Sequence, residues 1–173
     1  MTPGDEQQPP AQRRITAQQA GAKLPWPPTL IVRHPRERPQ RCSILPLRGR
    51  PDLVFLAYPI RHMPDMSGYV RLDPEGEPLT PADRECGLLL LDGSWRWARV
   101  MTRQFIHIPP RSLRGYYTAY PRVSRLYSDP PEGLATVEAL FLAYRILGRP
   151  TAGLLDHYHW RDEFLRRNQL EGE

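Results

Sequence analysis

The chain of 173 residues has almost no lysine: of its 24 basic residues only Lys23 is one, and the other 23 are arginine. It has two cysteines, Cys42 and Cys86, too few and too far apart for a small disulfide scaffold or a zinc-type ligand pair. It lacks a long apolar run. The longest uninterrupted ones, Leu53 to Tyr58 and Ala139 to Tyr144, fall far short of the roughly 20 residues that span a bilayer. The start, MTPGDEQQPPAQ, has none of the charged-then-apolar pattern of a secretory signal. No GxxxxGK[ST] phosphate loop, GxGxxG dinucleotide turn or GxSxG nucleophile elbow occurs. These absences leave a soluble, cytoplasmic protein with reduced thiols as the expectation, with no membrane partner.

Proline is plentiful instead, with 21 residues where the usual ~5% would give fewer than half as many. Charge is uneven. Arg33, Arg36, Arg38, Arg41, Arg48 and Arg50 face a single acid, Glu37, between residues 33 and 50. That window carries the whole formal net charge of +5, and the remainder sums to zero. Clustered arginine points to a polyanionic partner, RNA or DNA foremost.

The pattern along the chain predicts a disordered proline- and glutamine-rich tail over 1–28 and one α/β domain over 29–170. Thr29-Leu30-Ile31-Val32 and Leu53-Val54-Phe55-Leu56-Ala57 read as strands. Residues 61–79 read as a loop or loose hairpin turning at Asp73-Pro74-Glu75-Gly76. Thr80-Pro81-Ala82-Asp83 reads as a short capped helix start. Leu88-Leu89-Leu90-Leu91 has no polar alternation, which predicts a strand buried on both faces. Asp92-Gly93-Ser94 then turns the chain, and Ser94 is placed to cap a helix running to about Arg103. Ser112 to Ala119 is a further strand candidate. Leu134, Val137, Leu140, Phe141, Tyr144 and Leu147 share a helical face that Gly148 and Pro150 end. Leu154, Leu155, Tyr158, Phe164 and Leu165 predict a last helix over about 153–168. Alternating strands and helices argue for a mostly parallel sheet flanked by helices.

Two places could carry chemistry. Leu91-Asp92-Gly93-Ser94-Trp95 puts an acid, a hydroxyl and a large aromatic at a buried strand's carboxyl end, where open α/β sheets bind ligands. A capping turn with Trp95 in the core is the plainer alternative. Gly133 to Ala139 opens a helix whose free N–H groups could hold a carboxylate; an ordinary amphipathic helix is its alternative. His157 and His159 lack the further ligands that a metal shell needs, and no metal is expected.

Taken together these segments resemble a known family. Leu91-Asp92-Gly93-Ser94-Trp95 resembles the D-x-[ST]-W signature of the DTW-domain and ribosome-biogenesis aminocarboxypropyltransferases. Leu134-Ala135-Thr136-Val137-Glu138-Ala139 is similar to their L-[ST]-x-x-E-A segment. Leu154-Leu155, Trp160, Phe164-Leu165 and Asn168 are similar to the ending of the ribosomal branch, and Leu79-Thr80-Pro81-Ala82-Asp83 to its L-S-P-x-D. Arg33-His34-Pro35-Arg36-Glu37 echoes the H-P-x-E stretch of DTW domains.

The resemblance implies a SPOUT-like fold with a C-terminal trefoil knot, the domain dividing into 29–78 and a cofactor-binding part, 79–170. It implies an enzyme that uses S-adenosylmethionine (SAM) to transfer the 3-amino-3-carboxypropyl group to N3 of a uridine or pseudouridine in RNA. Small-subunit rRNA is the favoured substrate, and tRNA the alternative. A non-catalytic RNA-binding ribosome-assembly module and a methyltransferase are other readings of the same scaffold. By matched position Ser43 and Thr136 would hold the amino-acid end of SAM, Pro59 its adenine, and the backbone at Leu91 and Leu113 its nucleoside. Trp95 would wall off the methyl group, and Asp92 would be the general base. Arg33, Arg36, Arg38 and Arg41 would dock RNA beside the pocket.

Overall fold

The computed structural model describes residues 24–121 and 133–170. Five strands make one sheet: β1 (Thr29–Arg33), β2 (Leu53–Ala57), β3 (Tyr69–Pro78), β4 (Gly87–Asp92) and β5 (Pro110–Ser112). Their order is β2-β1-β4-β3-β5, and every pairing is parallel. Three α-helices accompany them: α1 (Trp95–Thr102), α2 (Thr136–Ile146) and α3 (Arg161–Arg167). The expected α/β class with a parallel, helix-flanked sheet is the observed one. Residues 122–132, within the part expected to be knotted, lie outside the described residues, as do residues 1–23 of the expected tail.

The four leucines of β4 explain the layering. β4 is the middle strand, so its alternate side chains enter two different cores. Leu88 and Leu90 join Ile31, Leu53 and Val70 against Val137, Leu140 and Tyr144 of α2 and Phe164 of α3. Leu89 joins Leu30, Val32 and Tyr69 on the other face, against Met101 of α1 and Phe105 beyond it. No described helix is long and apolar enough to cross a membrane.

Several expectations need correction. The stretch read as a loop over 61–79 holds the ten-residue β3. Asp73-Pro74-Glu75-Gly76 does break the ladder, because pairing with β5 shifts register between Leu72 and Glu77, but the strand resumes beyond it. Gly76 is needed there, since a Cβ would lie 2.5 Å from the carbonyl carbon of Pro110. The predicted strand from Ser112 to Ala119 is confined to Pro110–Ser112. The predicted last helix is only Arg161–Arg167; turns, with Gly153 at φ 77°, bury Leu154, Leu155 and Tyr158 instead. The helix start at Thr80 is a single 3-10 turn closed by a reciprocal Thr80–Asp83 capping box. Packing also begins before Thr29: the Tyr69 hydroxyl donates to the Pro28 carbonyl at 2.8 Å, and the Arg149 guanidinium lies 4.9 Å from the Trp26 ring centre.

One buried acid stitches the C-terminal half together. Glu138, on the first turn of α2, is 0% exposed. It accepts hydrogen bonds from the Ala135 and Ala119 amides and from the Thr118 and Tyr158 hydroxyls, all at 2.7–2.8 Å. A buried carboxylate is tolerated only with such a full set of donors. Two donors are backbone amides that cannot turn round, so the NH2 group of a glutamine would face one of them. Glu138→Gln is therefore expected to destabilise the fold by about 2 kcal/mol and Glu138→Ala by roughly 3–5 kcal/mol, read from urea midpoints. Midpoints matching the wild type would show that the network is dispensable.

Candidate functional site

Because every strand runs the same way, all carboxyl ends lie along one edge. β1 ends there in Arg33, β4 in Asp92, and β2 leads into Tyr58 and Pro59. β5 leads into Leu113 at the far side. Four of the sequence-predicted residues, Pro59, Leu91, Asp92 and Leu113, therefore reach this edge by topology alone. Pro59 is exposed, two strands from β4, and the other three are buried or half-buried.

At the middle of the edge sits Asp92, only 3% exposed. Its Oδ2 accepts from Arg33 Nε at 3.0 Å and from Cys42 Sγ at 3.1 Å, and its Oδ1 from Thr136 Oγ1 at 2.8 Å. The strand register explains the first contact, since Arg33 and Asp92 are direct partners across β1 and β4. Burial, then the neighbouring Asp92 carboxylate, pushes the Cys42 thiol up from its ordinary pKa, so it stays a protonated donor at neutral pH.

Ser43 arrives from the arginine-rich loop and meets α2. Its Oγ accepts from the Val137 amide at 3.3 Å. The residue before α2 is Ala135, which has no capping side chain, so Ser43 satisfies a first-turn N–H that the helix leaves open. Ser43, Asp92 and Thr136 thus converge on the start of α2.

An open cleft of about 420 Å³ lies toward the β5 side, walled by Trp95, Leu72, Leu113 and Leu134 and edged by Arg111 and Ser112; Ser43, Asp92 and Thr136 do not line it. Gly133 makes the wall close: a Cβ there would lie 2.6 Å from the Trp95 ring. Trp95 and Leu113, predicted separately, share this cleft.

The arginines do not act alike. Arg33 turns inward to Asp92, and its Nη2 also donates to the Glu37 carbonyl at 3.1 Å, so it belongs to the carboxylate cluster and not to the outer surface. Arg36, Arg38 and Arg41 are exposed. Arg36 lies 5.5 Å from the centre of the Trp97 ring, which stacks on His34 at 4.1 Å. Ser94, the expected cap of α1, makes no side-chain cap. Its amide donates instead to Glu37 Oε2 at 3.1 Å. Burial, then the Asp92 charge, raises the Glu37 pKa from its ordinary value. Glu37, Cys42 and Arg33 are thus members of the site that residue typing assigned elsewhere or passed over. The one legible signal was a lone acid in a basic run. His157 and His159 are exposed on the turns before α3, and no group of three or more metal-ligating side chains gathers among the described residues.

The Cys42 contact is open to a simple check. At pH 8 iodoacetamide is expected to spare Cys42 in the folded chain while reacting with half-buried Cys86, and to modify both in urea. Rapid alkylation of native Cys42, read by peptide mass mapping, would contradict a buried, protonated thiol.

No family model matches the chain, and no curated protein does. Among solved structures it is similar to the SAM-dependent rRNA:acp-transferase Tsr3 from Vulcanisaeta distributa. The two share 28% sequence identity at a TM-score of 0.63, over 82% of this chain and 79% of that one.

Proposed function

We propose that this chain is a SAM-dependent RNA aminocarboxypropyltransferase that modifies N3 of a uridine or pseudouridine, in small-subunit rRNA ahead of tRNA. The observation that carries the reading is the meeting of Ser43, Asp92 and Thr136 at one strand end, in a fold similar to that of an rRNA:acp-transferase. The residues present suit the cofactor. SAM is apolar along its adenine and methyl groups and charged at its amino-acid end, and the cleft has the same two characters. Trp95, Leu113 and Leu134 supply an apolar wall, and the buried Ser112 hydroxyl in that wall has no hydrogen-bond partner among the described residues.

In this reading Ser43 and Thr136, at the start of α2, hold the amino-acid end, where a helix N-terminus favours a carboxylate. Leu91 and Leu113 offer backbone groups to the nucleoside, Pro59 packs on adenine, and Trp95 covers the methyl. When bound, SAM supplies an electrophilic carboxypropyl carbon, and 5′-methylthioadenosine is the product that leaves. Positioning selects the group, because all three carbons on the sulfonium are electrophilic and only the one facing the RNA can react. Exposed Arg36, Arg38 and Arg41 dock phosphates beside the target base, pairing in two-point fashion.

Asp92 has about four acceptor positions, of which Arg33, Cys42 and Thr136 use three. The fourth lies on Oδ1. In the proposed reaction it receives the N3 proton of the target base. The Arg33 ion pair favours a second role for the same position, orienting the ammonium of SAM. Asp92→Asn separates them. As a base, Asp92 is worth about 10²- to 10⁴-fold in turnover, with SAM affinity nearly unchanged. Collapse of SAM binding would assign it to orientation, and full turnover by the variant would remove both roles.

The activity itself has a direct test. Incubation with SAM and small-subunit rRNA is expected to release methylthioadenosine, and nucleoside mass spectrometry to find a carboxypropylated residue in the rRNA. Release of S-adenosylhomocysteine would make the protein a methyltransferase. A modified nucleoside in the tRNA pool would move the substrate. SAM binding that cannot be detected would favour a non-catalytic RNA-binding module.

A further inference from the structure

Summing charge outside residues 33–50 to zero conceals a second basic region. From Gly93 to Pro121 the sequence holds Arg96, Arg99, Arg103, Arg111 and Arg114 and not one acid. Arg111 pairs with Asp83 at 3.1 Å, and Arg114 stands at the cleft. The other three lie on α1 and the 3-10 turn that continues it, Arg103–Phe105. At ~100° per residue, positions 96, 99 and 103 fall within an arc of about 60°, spaced roughly 4.5 and 6 Å along the axis. All three are exposed. The opposite face of the helix carries buried Met101 into the core beside Phe105, so the arginine face points to solvent. Among the described residues neither Arg99 nor Arg103 has an ion-pair partner.

The stripe begins one turn from Asp92, because Gly93 and Ser94 alone separate β4 from α1. It is also joined to the first basic region. The Arg36 guanidinium lies 5.5 Å and that of Arg96 4.9 Å from the centre of the Trp97 ring. Trp97 is itself fixed by His34, stacked at 4.1 Å and 10° between planes. Gly93 permits that approach, with Trp97 Cβ 3.3 Å and His34 Cβ 3.4 Å from where its own Cβ would stand.

We infer that α1 is an RNA-docking helix. Arg96, Arg99 and Arg103 contact the phosphates of a single-stranded segment leading to the pocket, and Trp97 with Arg36 forms the junction between the two basic regions. The inference rests on the reading of RNA as substrate. Its grounds are charge complementarity, with three cations on one helical face and no acid among their neighbours in sequence, and the stripe's position at the mouth of the site. The partner is a phosphate backbone read without sequence preference, since among the described residues neither Arg99 nor Arg103 is held by an ion pair that would fix its fork toward a base.

The test uses the full chain and a fluorescein-labelled single-stranded RNA of mixed sequence, followed by anisotropy across a salt series. The double variant Arg99→Glu/Arg103→Glu is expected to bind about tenfold more weakly or worse, with its salt slope reduced by about 1 to 2, and Arg99→Lys/Arg103→Lys to bind as the wild type does. Far-UV circular dichroism checks that α1 is intact, and Arg99→Gln/Arg103→Gln replaces the glutamate pair if it is not. Wild-type affinity in the charge-removed variant, while Arg36→Ala/Arg38→Ala/Arg41→Ala loses binding, overturns the docking helix and leaves the proposed function standing. If the wild type itself fails to bind this RNA or small-subunit rRNA, the RNA reading and the inference fall together.

Discussion

The carboxylate of Asp92 is where the molecule is tied together. Three donors reach it from positions 33, 42 and 136, so a strand, a loop and a helix meet on two oxygen atoms. A charge this deeply buried is sustained only while its partners stay in place. Loss of one typically costs about 3–5 kcal/mol, because the remaining charge is left uncompensated. The same contacts hold the Ser43 loop against α2 and keep Arg33 away from solvent. The site is therefore not an addition to a finished scaffold, since part of what stabilises the scaffold is the site.

Glu138 plays the complementary part on the far side of α2's first turn. It gathers residues 118, 119, 135 and 158, so the start of α2 is fixed from two directions by two buried acids. Asp92 holds the hydroxyl of Thr136 and Glu138 holds the backbone of Ala135. Between them the entry to the helix has little freedom, and the N–H groups of its first turn are presented in a set direction. Such preorganisation is what a site needs if it is to bind a charged group without first rearranging.

Much of this was legible from residue order, and the failures have physical causes. Leu88 to Leu91 announced a central strand because only a strand covered on both faces is apolar at every position. β3 was hidden because Asp73-Pro74-Glu75-Gly76 has the composition of a turn, and only the β5 register shows that the ladder merely skips there. The last helix was overextended because turns can bury Leu154, Leu155 and Tyr158 at spacings that mimic a helix. Residue type placed Arg33 with the surface arginines, but pairing across β1 and β4 turns it inward, and no local pattern carries that information. Net charge misled for a related reason. Acids elsewhere in the chain cancel the arginines of α1 in a sum, but not in space.

The span of these contacts has a consequence for the birth of the protein. Thr136 meets a partner 44 residues earlier in the chain, and the Val137 amide meets one 94 residues earlier. Synthesis runs from the N-terminus, so the strands and both basic regions leave the ribosome before the segment that closes the pocket. A nascent or truncated chain displays both basic surfaces well before the cluster around Asp92 can assemble. The order in which the molecule acquires its surfaces is thus written into its topology: the basic faces first, the buried carboxylate cluster last.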